Sequence, residues 1–105
     1  MNEEDSFIVG QVYFEVKYPD EALKYPLIES FVFIGKNVLD EDTDETQVWY
    51  FQPAKSFAKQ GSVLETRKGD RQVAGLKKHE LAEMFDEERL FQKLKAARER
   101  RGNQV

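Results

Sequence analysis

The residues able to do covalent chemistry are few. His79 is the only histidine and cysteine is absent, which excludes thiolate nucleophiles, thiolate metal ligands and disulfide staples together. On a helix His79 would face Glu83 one turn later, a spacing that can hold a metal between two ligands. No further His or Cys completes the three or four ligands that a transition-metal site needs. His79 is also the one side chain with an ordinary titration near neutrality, yet none of Ser6, Ser30, Ser56 and Ser62 stands in a nucleophile-elbow sequence. Glu15 and Glu29 fall on two segments able to pair as strands, where they could meet as an acid and base couple. The plainer reading is a solvent-facing polar row.

Asp40, Asp42 and Asp44 place carboxylates at alternate positions, as the start of an EF-hand calcium loop does. The sixth position is then Glu45 rather than Gly, and the twelfth is Phe51 rather than Glu. The stretch DEDTDET is therefore read as a solvated loop. The six glycines supply neither a dinucleotide fingerprint nor a phosphate loop. The expectation is a chain with no cofactor, no metal and no catalytic residue.

Two surface features remain. Between Arg89 and Arg101 six bases stand against one acid, so Lys93, Lys95, Arg98, Arg100 and Arg101 are candidate nucleic-acid contacts, set against ordinary dipole matching at a helix end. The second is aromatic density, with 11 of 13 aromatic residues at or before Phe57. Phe31 to Ile34 and Val48 to Phe51 are apolar in both directions, which a one-sided sheet cannot bury. The terminal helix, closure of the sheet, or a partner protein must cover the second face. Phe31, Phe33, Trp49, Tyr50 and Phe51 are accordingly candidate protein-binding residues, at least one of them expected to be exposed, with Trp49 and Tyr50 on opposite faces.

The elements that must position these residues follow from periodicity. Residues 7–18 alternate over their second half and end at Pro19, a half-buried strand. Pro19 to Pro26 is a loop, 28–34 a second strand and 47–52 a third. Residues 54–60 fit a short helix stopped by Gly61. Residues 62–67 and 71–74 read as a hairpin about Lys68-Gly69-Asp70. The 25 residues after Gly75 lack Gly and Pro and read as one bent helix, or as two with Asp86 capping the second. Leu76, Leu81, Met84 and Phe85 make one apolar stripe, and Leu90, Phe91, Leu94 and Ala97 another.

The fold expectation is a single α+β domain over residues 1–105: an antiparallel twisted sheet of about five strands, or a small open barrel, with a C-terminal helix or bent helix pair. Residues 1–6 and 99–105 are expected to be disordered ends. Charge is divided: residues 1–60 hold 12 acids and 5 bases, residues 61–105 hold 8 acids and 11 bases. The acidic start MNEED, no apolar leader and apolar runs of four residues at most imply a cytoplasmic chain outside the membrane. The functional expectation is a non-catalytic protein-interaction or regulatory domain, binding another protein or itself. The alternatives are a nucleic-acid accessory protein using the basic helix end, and a small enzyme with a site assembled from residues distant in sequence.

Overall fold

The computed structural model describes residues 7–39, 45, 47–65 and 73–102. Strands β1 (Val12–Lys17), β2 (Leu27–Lys36), β3 (Trp49–Pro53), β4 (Ala74–Leu76) and β5 (Met84–Phe85) form one antiparallel sheet in the order β4-β3-β2-β1-β5. The sheet curls into a half-barrel, and helices α1 (Ala54–Gln60) and α2 (Glu87–Gly102) complete the α+β arrangement. Period-two alternation sets the register: Tyr13 lies opposite Phe31 and Glu15 opposite Glu29, while Val12 lies opposite Val32 and Phe14 opposite Ser30. The ladder between β2 and β3 shifts at Phe33 to Gly35. Gly35 has φ 139°, and a Cβ there would come within 2.5 Å of Val38 Cγ1, so only glycine fits this bulge.

Each face carries its own core. On one, Tyr13, Phe31, Phe33, Trp49 and Phe51 pack with Leu81 and Met84, and Phe7 closes over them with its ring 4.9 Å from Tyr13 and 5.4 Å from Phe51. On the other, Ile34, Tyr50 and Val63 pack with Phe57 of α1 and with Val38, Leu39, Val48 and Val73. Gln52 is fully buried between β3 and α1. Its amide donates to Ser56 Oγ and to the Gly61 carbonyl at 3.0 Å each, and its oxygen accepts from the Val63 N–H at 3.0 Å. This staple explains why Ser62 to Glu65 is not the expected strand: the chain turns there, with Val63 drawn into the core. β4 pairs with β3 instead of closing a local hairpin, and the expected hairpin turn at 68–70 lies outside the described residues.

The tract after Gly75 also differs from the expected helix. Leu76 belongs to β4, Lys78–Glu83 is a 3-10 helix, and Met84–Phe85 pairs with β1. Tertiary packing overrides helix propensity here, because Leu81 and Met84 are what seal the aromatic core at the β1 side. The second half is the α-helix, and Asp86 caps it by accepting the Arg89 N–H at 2.8 Å. α2 lies against β1 and β5, and it continues through Gly102. Residues 99–102, expected as part of a disordered end, are thus helical, while 1–6 and 103–105 lie outside the described residues.

Candidate functional site

The structure corrects the expected exposed aromatic. Phe31, Phe33, Trp49, Tyr50 and Phe51 are all between 0 and 7 % exposed. Trp49 and Tyr50 do point to opposite faces, but both faces are covered by the chain itself: one by Phe7, Leu81 and Met84, the other by α1 with Val63 and its neighbours. Of the expected terminal helix, Leu81 and Met84 supply part of the first cover, whereas α2 contributes to neither core.

The residues with potential for chemistry are dispersed. His79 is exposed on the 3-10 helix, where three residues make a turn, so Glu83 four positions on does not stack above it. No group of three metal-ligating side chains occurs among the described residues. Glu15 and Glu29 are direct cross-strand partners, and Lys17 Nζ lies 3.2 Å from the Glu15 carboxylate. Ser56 accepts from Gln52 and Ser62 from the Leu64 N–H. The acidic stretch at 40–46 lies outside the described residues except Glu45.

What the fold does bring together is a groove between α2 and the start of β2. Its far wall begins with the loop 19–26. Asp20 accepts the N–H of Lys24 at 2.8 Å and of Tyr25 at 3.0 Å, closing a tight loop in which Leu23 stands at φ 56°. These bonds, that from Lys24 first, hold the Asp20 carboxyl below the usual aspartate range, against a smaller opposing effect of desolvation. The carbonyls of Leu23 and Lys24 are thereby left to other donors. Arg100 Nε donates to the first, and Arg101 Nη1 donates to the second at 2.6 Å. Arg100 also lies over the Tyr18 ring at 5.6 Å. The end of α2 is therefore clamped to the loop, and Pro26 is held opposite the helix.

The cleft so formed, about 490 Å3, is lined by Pro26, Phe91, Leu94, Lys95, Arg98 and Arg101. The helix pattern accounts for the lining. Ala97 is fully buried, and Leu90, Leu94 and Arg101 fall within about 60° of its direction at 100° per residue. Phe91, Lys95 and Arg98 are rotated further, onto the flank. Phe91 is 70 % exposed, so it is not part of a buried stripe as the sequence implied. Of the five basic residues singled out by sequence, Lys95, Arg98 and Arg101 line the groove. Arg100 serves the clamp, and Lys93 lies over the Phe85 ring at 5.4 Å. Lys95 and Arg98 make no hydrogen bond or ion pair among the described residues.

A second cleft, about 310 Å3, lies at the other end of α2. It is lined by apolar side chains including Ile8, Tyr13 and Met84, by Asp86, Glu87 and Glu88, and by Arg89. No protein-family model, curated protein or solved structure matches the chain. No helix among the described residues is long and apolar enough to cross a membrane.

Proposed function

We propose that the chain is a non-catalytic interaction module whose groove along α2 takes an apolar polypeptide segment bearing carboxylates. The observation that carries this is the coincidence of Phe91, 70 % exposed, with Lys95, Arg98 and Arg101 on one apolar-floored cleft. A solvent-exposed aromatic in a concave apolar site is the usual anchor of a protein interface. The guanidinium groups select an acidic neighbour and exclude a basic one. A phosphate backbone needs charge without apolar surface, and three of the five basic residues, Lys93, Arg100 and Arg101, are engaged with other partners. That balance favours a polypeptide over a nucleic acid.

The test is selection from a random peptide library on the immobilised full chain. Enrichment of peptides with an aromatic or leucine beside Asp or Glu, lost when Lys95 and Arg98 are changed to Glu, supports the reading. Enrichment of basic peptides, or a selection indifferent to K95E/R98E, overturns it.

A further inference from the structure

We infer that a second copy of this chain fills the groove: the acidic start of α2 in one molecule docks on the basic groove at the end of α2 in the next. This rests on the groove reading above and identifies its occupant. Three observations meet in it. The cleft at the start of α2 is lined by Asp86, Glu87 and Glu88 against the single Arg89, and the groove at its end by Lys95, Arg98 and Arg101, with Glu99 beside Lys95 and Arg98 in the adjoining cleft. Both clefts have apolar linings that stay accessible, with Ile8 60 % and Phe91 70 % exposed. Glu87 and Glu88, like Lys95 and Arg98, have no ion-pair partner among the described residues.

The two charged sets sit on one rigid helix. Glu87 and Arg98 are eleven positions apart, roughly 16 Å of axis, too far to pair with each other within one molecule. Two antiparallel molecules bring them together. Phe91 of one then enters the apolar cleft beside Glu87 and Glu88 of the other, and Lys95 and Arg98, one and two turns beyond Phe91, face those carboxylates. The acidic start and the groove share one flank of α2 at 100° per residue, so two antiparallel copies satisfy both contacts at once and close a two-fold dimer.

The experiment is sedimentation velocity on the full chain at up to about 1 mM, at low and high salt, with two variants. F91A/R98Q removes the groove and E87Q/E88Q removes the acidic end without adding charges that could pair with each other, and circular dichroism checks that both fold. The wild type is expected to form a dimer at low salt and dissociate at high salt. Each variant alone is expected to be monomeric, and an equimolar mixture to form one-to-one pairs and nothing larger, because it holds one intact groove and one intact acidic end. A wild type that stays monomeric throughout, or variants that do not pair when mixed, overturns the inference. An acidic peptide that still binds the groove of such a monomer leaves the interaction-module reading standing, and one that does not removes both.

Discussion

The clamp at the end of α2 gives a quantitative expectation for Arg100→Ala with Arg101→Ala. Each arginine donates to a loop carbonyl, Arg100 to Leu23 and Arg101 to Lys24. Hydrogen bonds to charged groups contribute about 1.5 to 3 kcal/mol, and these two are partly open to water, which places each near 1.5 or lower. The Arg100 contact with the Tyr18 ring adds about 0.5 kcal/mol. The freed carbonyls can be hydrated, so no orphaned-acceptor penalty follows. The double variant should therefore lose about 2 to 3 kcal/mol, read as a shift of the urea midpoint with unchanged slope, followed by Trp49 fluorescence. Deleting residues 99–105 should cost at least as much. A loss below about 0.5 kcal/mol, the range of an ordinary surface change, would mean that the helix end is not docked and that the groove has no fixed far wall.

Gln52→Leu should cost about 2 to 4 kcal/mol by equilibrium denaturation, since it strands the buried Val63 N–H and removes the partner of the Gly61 carbonyl. Phe51→Ala, at a fully buried ring, should cost about 3 to 5 kcal/mol in the same assay. Asp20 has a folded pKa depressed below the ordinary value of 3.8; its contribution is complete above that value and is lost as pH falls through the lower folded one, so loop 19–26 should loosen only in that acid window. Amide shifts of Lys24 and Tyr25 titrated from pH 6 downward check this, and Asp20→Ala should show the loosened shifts at every pH. Duplex DNA, if bound at all, should show a log-log salt slope near −2 to −3, because Lys95, Arg98 and in part Arg101 are the bases left to meet phosphates. A slope of about −5 would require all five.

The sheet was legible because period-two alternation survives in β1, β-branched and aromatic residues concentrate in β2 and β3, and Pro19, Pro26 and Pro53 fall at strand limits. The half-barrel was legible in outline from strands apolar on both faces. The tract from Leu76 to Phe85 was not, because its residues are good helix formers and the reason they adopt a 3-10 turn and a strand lies in Leu81 and Met84 filling a core built by residues far earlier in sequence. Val63 was hidden likewise: its turn is fixed by the Gln52 side chain, and nothing local announces that bond. Trp49 and Tyr50 were correctly placed on opposite faces, but Phe7, Val38, Leu39 and Val73, which pack against the two cores, carry no local signal of that role. The groove was half legible. Lys95, Arg98 and Arg101 stood out by charge, whereas Phe91 was assigned to a buried stripe although it is rotated 120° from Ala97 at 100° per residue. That angle was the available signal. Pro26 and the Asp20 turn carry none, because their role depends on arginines some 77 positions away.

The most direct test of the groove as a binding site is a titration of isotope-labelled full chain with two peptides, one pairing an aromatic with Asp and Glu and the other identical but with Lys in place of the acids. The acidic peptide is expected to shift Phe91, Leu94, Lys95, Arg98 and Arg101 together with Leu27, next to Pro26, and to lose its effect in Phe91→Asp, while the basic peptide leaves the spectrum unchanged. Equal response to both peptides, or shifts that avoid this groove, would contradict the account.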